Sequence, residues 1–539
     1  MPLIRRVLDR LRSQHGFATV TLMGALAVGS LLVAGGFAAV QPDIKFSRDD
    51  QDYKQAYGGA DAGVQWYLSS LARDNGYYTQ CTDVLDPNAS EQAPVNPEWD
   101  GSGADPRIWR NLPASDESEY TVELLPAPGY DECDPDDQYS MIDPSGNMRL
   151  RVTGRSRGEA RSIIVTLRRR NFIDFIYFTH LETLDPLAYE SSTQRTWASS
   201  KCNQFREQRE AAAASSSREC TEIQFASGDV VSGPMHTNDS IWVCGGATFG
   251  RSRKDAIELN GEAPGYLKIG SCNPTPDIKG DLHHPAGQMA LPPSNQELLD
   301  IVDPAYLFKG RTKIVFNGET MSVTRKNNTT VSLPLPPNGL IYVQNDGNCS
   351  VGYAYSQTYT YNSATDAIQN DPASSACGNA WVKGNYSKEI TVAADNDAIV
   401  YGNLTRNDGN LLFGLIANNF VRVFHPVDHD NCSNSQGNRT GSLTNPRIEA
   451  AILALNHSFI VDNWYCGAGL GTLTVDGAIA QRYRGPVGQG VGGSSADHGY
   501  IKSYQYNDRL KFREPPFFLD PVQSAWRVAR QNEQVPAND

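Results

Sequence analysis

The sequence predicts a chain of two unequal parts. The first is an α+β N-terminal module, one long helix with a small antiparallel sheet. The second is a large mostly-β domain, a parallel β-solenoid (β-helix), with a β-sandwich as the competing fold. Three observations carry this. Residues 17–40 run for 24 positions without a charge and are followed by apolar residues at three- and four-residue spacing. Clean alternation occupies 148–170, and from 171 onward short Val, Ile, Leu and Ala runs are separated by Gly and Asn turns.

The N-terminal segment sets the compartment. Arg5, Arg6, Arg10 and Arg12 against Asp9 precede the uncharged run. As a helix that run is about 36 Å long, enough to cross a hydrocarbon layer of about 30 Å. The basic end is expected to stay in the cytoplasm and the remainder to be exported. Beyond the run, Tyr53, Tyr57, Ala60, Val64, Tyr67 or Leu68, and Leu71 keep helical spacing. The helix should therefore continue outward to about residue 75, with an interruption at Pro42 and a side thinned by Gly58, Gly59 and Gly63.

A secretory signal would place a small-residue cleavage site after a shorter apolar core. Here the distinctive junction lies before it, where Gly16 and Phe17 join the basic leader to the helix. The junction resembles the prepilin peptidase site of type IV pilins, in which residues equivalent to 1–16 are removed and the helix is retained. The run AYGGADAGVQWYLSSLA (56–72) resembles the AxxAExG segment of PilX-type pilus assembly proteins, with Asp61 where Glu is usual. NFIDFIYFTHLETLDP (171–186) is similar to a stretch in their large actinobacterial-type relatives. Thr21 stands where major pilins carry a glutamate thought to pair with a neighbour's amine. The resemblance therefore implies a minor pilin with no subunit above it, at a filament tip or in an initiation complex.

Residues 76–170 should hold acidic loops and the antiparallel sheet, with strands at 119–125, 148–155 and 160–170. From 74 to 143 there are 17 Asp or Glu against Arg107 and Arg110. The eight arginines of 148–170 could lie against that acidic stretch. In DECDPDD, Asp131, Asp134, Asp136 and Asp137 are oxygen donors of the kind calcium takes. The EF-hand spacing, glycine and distal glutamate are missing, so a solvated loop tied by a Cys81–Cys133 disulfide is the preferred reading and no cofactor is expected.

The ten cysteines are Cys81, Cys133, Cys202, Cys220, Cys244, Cys272, Cys349, Cys377, Cys432 and Cys466, with no CxxC pair. Zinc and thioredoxin-like chemistry find no support. An even set in an exported chain reads as disulfides. Sequential pairing would staple one insertion each, though on the order of a thousand connectivities exist.

The β domain is expected over 171–525, followed by a polar tail at 526–539. Ile399, Leu415, Ile416, Val421 and Ile452 are expected in its inward stacks. Forty-seven Lys and Arg against 61 Asp and Glu give a net charge of −14 and a pI near 5.2. Losing a leader of charge +3 leaves −17. Such a chain is not built to neutralise phosphates, so nucleic acid is not an expected partner.

Catalysis finds little support. His236 in GPMHTND, near Asp229 and Asp239, reads better as a strand-end polar turn than as a general base. His283 and His284 lack a third ligand, and Pro426 prevents a helical presentation of His425 and His429 beside Asp428 and Asp430. Neither GxSxG nor GxxxxGK[ST] occurs. The expected role is a non-enzymatic structural minor pilin, anchored in the cytoplasmic membrane and then carried on an extracellular pilus. Its implied partners are other pilins, the prepilin peptidase, the inner-membrane assembly platform and a surface or glycan ligand. A signal-anchored glycan-active enzyme or glycan-binding protein is the alternative.

Overall fold

The computed structural model describes residues 15–74, 76–81, 109–112, 115–131, 133–135, 137, 140–143, 146–213, 219–267, 273–349, 353–371, 373–432, 437–490, 496–522 and 526–534. Most of the leader, residues 82–108 of the acidic stretch, Asp136, Cys272 and residues 535–539 lie outside them.

The first element, α1 (His15–Arg73), is a single helix of 59 residues. The interruption expected at Pro42 does not occur, because helical turns on both sides absorb the loss of one backbone bond. Its outer half buries Ala56, Ala60, Val64, Tyr67 and Leu71 completely. They pack on a meander of β1 (Arg110–Leu112), β2 (Ser115–Leu125), β3 (Asn147–Ser156) and β4 (Glu159–Arg169), all antiparallel in chain order. The opposing face supplies Val122, Leu124, Leu150, Val152, Ile163, Val165 and Leu167, alternate residues as a half-buried sheet requires.

The glycines do not thin the helix for bending. A Cβ on Gly63 would lie 2.6 Å from Val152 Cγ1, and one on Gly59 would lie 3.1 Å from the Glu119 carbonyl oxygen. On the sheet side, a Cβ on Gly154 would overlap the Ala56 carbonyl oxygen. These glycines let backbones approach, whereas Gly58 faces open space.

The expected polar tail is corrected. Trp526–Gln534 is a strand that pairs antiparallel with β4, with Trp526 opposite Arg169. Trp526 joins the core under α1 and Val528 follows it at strand spacing. The β domain is therefore inserted between the last two strands of the N-terminal sheet, and not appended after it.

That domain is mostly β; most of its strands belong to a large curled, open sheet, with a three-stranded and a two-stranded sheet besides. One ladder runs through ten strands by parallel pairing: Leu307–Lys309, Leu340–Gln344, Ile390–Ala394, Phe413–Ala417, Ala451–Ala454, Gly469–Arg484, Tyr177–Leu184, Met235–Thr237, Ala256–Glu258 and Asp281–His283. Along it Ile341, Val392, Leu415, Ile452, Ile479, Tyr177, Met235, Ile257 and Leu282 are in register. All are buried except terminal Leu282.

The spatial order differs from the chain order. The chain enters mid-stack at Tyr177, builds outward to His283, crosses, resumes at the opposite end with Leu307, and builds back until Gly469–Arg484 lies beside Tyr177–Leu184. At one corner, side-chain amides stack as Asn419 to Asn396 and Asn396 to Asn379, each at 2.6 Å. Leu415, Ile416, Val421 and Ile452 join the main core as expected, but Ile399 does not. It pairs with Arg422 on the opposite face and is covered by Tyr359, Trp381, Tyr401 and Phe424.

Candidate functional site

The inner half of α1 is the most unusual surface of the molecule. Thr19–Gly36 has a mean hydropathy of 1.7 and none of it is buried. Val20, Leu22, Met23, Leu26, Leu31, Leu32 and Val33 are all at least 60% exposed, around the whole circumference. A helix that is apolar all round belongs in lipid or among other helices. Among the described residues it is the single helix long and apolar enough to cross a membrane. Gly16 and Phe17 lie in its first turn, and Thr21 occupies an exposed position one turn further on.

The acidic loop gathers no metal site among its described residues. Asp131 and Asp134 are exposed; the Asp137 carboxylate accepts from the Tyr130 hydroxyl at 2.7 Å, and that hydrogen bond, with a smaller share from burial, pushes the phenol up to about 12. Cys81 and Cys133 are bonded, tying the end of α1 to this loop. The bonds Cys202–Cys220, Cys349–Cys377 and Cys432–Cys466 follow the sequential order, and Cys244 is disulfide-bonded as well. The one compact group with metal-ligand geometry among the described residues is His429, Cys432 and Cys466. Its two sulfurs are bonded to each other, which removes the thiolates a metal would need.

The histidines do not converge. His236 is fully buried, stacked on Phe178 at 5.4 Å. It contacts Glu258 at 2.6 Å because Phe178, His236 and Glu258 are successive positions of one ladder row. Asp239 and Asp229 face Arg209 and Lys502 instead. His425 bonds Asn438 and the Asp462 carbonyl, and His429 bonds the Gln357 carbonyl. His283 is exposed beside Asp281, and His284 bonds the Gly261 carbonyl.

Sequence reasoning missed the buried arginines. Arg422 lies between Asp397 and Asp462, each at 3.3 Å. Burial pushes both carboxyls up, and Arg422 opposes the rise at Asp397. Arg484 meets Glu182 at 3.1 Å and covers the Phe225 ring. Arg209 forks onto Glu222, whose carboxyl is pushed up to about 7 by burial against the pull of Arg209. At the module junction, Asn171 donates to Glu514 and Asp520 at 2.8 Å each, while Arg168 and Arg527 reach Asp174. Of the arginines in 148–170, Arg151 and Arg155 meet Glu123 and Glu119 of the acidic stretch, on the neighbouring strand, while Arg168, Arg169 and Arg170 meet Glu514, Asp520 and Glu258 at the junction. A periodic Arg in an apolar strand with Asp one rung away was the available signal.

The β domain also carries an open cavity of about 500 Å³ between the Gln224–Ala226 strand and the Pro486–Gly490 turn, reaching Trp464, Tyr500 and Lys502.

No family model matches the chain, and no curated protein matches it. Among solved structures, the competence-associated pilin ComZ from Thermus thermophilus aligns over 90% of this chain and 97% of its own, at 12% identity and a TM-score of 0.25. At that score the alignment carries no argument about fold or role.

Proposed function

We propose that the chain is a structural minor pilin of a type IV pilus, of the PilX-like kind, and that the parallel stack is a solenoid carried at the filament tip. The observation that supports this best is the division of labour along α1. Its inner half is apolar and uncovered on every side, while its outer half is docked on an antiparallel sheet through glycines. The inner half would first lie in the cytoplasmic membrane and then exchange lipid for the helices of other pilins, through packing that needs no hydrophobic drive.

Cleavage by the prepilin peptidase would fall between Gly16 and Phe17. Thr21 in place of a carboxylate removes the charge that would call for a neighbour's amine. That suits the terminal subunit, delivered by the inner-membrane platform and presented for adhesion or surface contact. In this reading the role is structural, and the buried carboxylates beside Arg422 and Arg484 serve as ion-pair partners within the fold.

The deciding experiment is the mature N-terminus of the protein recovered from membranes or filaments. Phe17 as first residue, lost in Gly16→Ala, is the expected result. An intact N-terminus, or cleavage after the apolar run, would overturn the proposal in favour of a signal anchor or a secretory signal.

A further inference from the structure

The cavity beside Trp464 is lined by residues of the β domain, and its walls have a definite chemistry. Lys502 pairs with Asp229 at 3.0 Å, and Glu222 is forked by Arg209, so the charges lining or backing the cavity are matched within the protein. Other polar groups are unspent. The side-chain amides of Gln224 and Gln489 line it without a hydrogen-bond partner among the described residues, and the indole N–H of Trp464 is buried without one. Tyr500 completes an aromatic and amide lining of the kind that orients a ligand rich in hydroxyls.

The surface continues past the cavity mouth. Trp464 meets Tyr465 edge-on at 5.6 Å, and Tyr465 stacks on Tyr355 at 4.2 Å with their planes 7° apart. Ser356 and the Tyr465 hydroxyl share a hydrogen bond at 2.9 Å. Tyr355 and Tyr465 come from different excursions, closed by Cys349–Cys377 and Cys432–Cys466, and both rings are half-exposed. Stacking two tyrosines on a surface, with a tryptophan leading into a polar cavity, gives a ridge about three rings long.

We infer that the cavity and the Trp464–Tyr465–Tyr355 ridge form one binding site for a neutral oligosaccharide. A pyranose has an apolar C–H face that packs on an aromatic ring and a rim of hydroxyls that need planar donors and acceptors. The ridge offers the first, and the Gln224 and Gln489 amides offer the second. Matched wall charges leave no unpaired cation for a phosphate or a uronate, which selects a neutral chain over an acidic one. The inference deepens the surface-contact role proposed above and rests on it only for delivering the domain to the cell exterior.

The test uses the full chain in dodecylphosphocholine micelles, a detergent with no sugar headgroup. Maltotetraose, cellotetraose and chitotetraose are titrated while tryptophan fluorescence and saturation-transfer NMR are followed. At least one should bind saturably with Kd below about 1 mM. Gln489→Ala and Tyr355→Ala, both at solvent-accessible positions, should each weaken it by about tenfold with an unchanged melting curve, and Trp464→Phe should weaken it less than Trp464→Ala.

No saturable signal from any of the three at about 10 mM, or equal binding by both alanine variants, would overturn the inference. So would preferential binding of tetragalacturonate. None of these outcomes touches the mature N-terminus, so the glycan site and the pilin reading fail separately.

Discussion

Gly154→Ala should loosen α1 from its sheet by an amount that can be worked out. A Cβ at this position would lie 2.9 Å from the Gly59 carbonyl carbon and closer still to the Ala56 oxygen and the Ala60 nitrogen. Ordinary contact begins near 3.4 Å and the Ala56 oxygen would lie at 2.0 Å, so the helix must retreat by about 1.4 Å; a gap of 0.5–1 Å already forfeits a quarter to a half of the dispersion energy across it. Val64, Tyr67 and Leu71 contribute about 2 kcal/mol each by burial, roughly 6 kcal/mol together. The expected loss is therefore about 3 kcal/mol, at the upper end of measured overpacking costs.

Hydrogen exchange of the α1 amides between residues 49 and 73 should report it as a loss of protection of about thirtyfold or more. Gly58→Ala is the internal control: nothing lies within 4 Å of its Cβ position, so it should raise protection slightly through helix propensity. If Gly154→Ala exchanges like the wild type, or if Gly58→Ala loosens the helix equally, the close-approach argument is wrong.

Other perturbations have equally definite outcomes. Arg422→Met should cost the β domain about 3–5 kcal/mol in urea denaturation, because Asp397 and Asp462 are left buried without a cation; adding Asp397→Asn and Asp462→Asn should restore most of it. Replacing Cys81 and Cys133 by Ala opens a loop of sequence separation 52 and should lower sheet-module stability by about 4 kcal/mol on the chain-entropy account, measured by the same exchange method. His180 is held down to about 4 by burial, with Arg482 adding, and its Nδ1 lies 2.8 Å from the Asn238 amide nitrogen. Its folded pKa is depressed below the usual 6.5, so its contribution is present above that value and fades as pH falls toward 4. The fade should be about 2–3 kcal/mol after allowance for partial exposure, and His180→Gln should flatten the melting temperature across that window.

The parts of this protein that follow from local pattern were legible in the sequence. Alternation at Leu150 and Val152 marked β3, and the spacing of Ala60, Val64, Tyr67 and Leu71 marked the buried face of α1. The glycines were misread because a sequence shows that a side chain is missing but not which backbone fills the space. Trp526 and Val528 carried a strand signal too short to read against polar neighbours, and their pairing partner lies more than 350 residues away. Ile399 was assigned inward because a fully apolar run gives no parity; only the register with Arg422 reveals its face. The irregular period between rungs had a topological cause, a mid-stack start with a crossing to the far end, that periodicity alone does not encode. His236 drew attention as a chemical residue although its place in a ladder row determines its partner.

The insertion of the β domain between β4 and the C-terminal strand has a mechanical meaning. Both covalent connections leave the N-terminal sheet side by side, where Arg169 faces Trp526. Tension on the distal domain is thus shared by two neighbouring strands entering the sheet at the same end. With α1 as the fixed anchor, a pull along the strands loads the ten residue pairs between β3 and β4 simultaneously, in shear. The load path is set by where the chain leaves and re-enters the sheet, and it divides any pull on the β domain between β4 and the C-terminal strand.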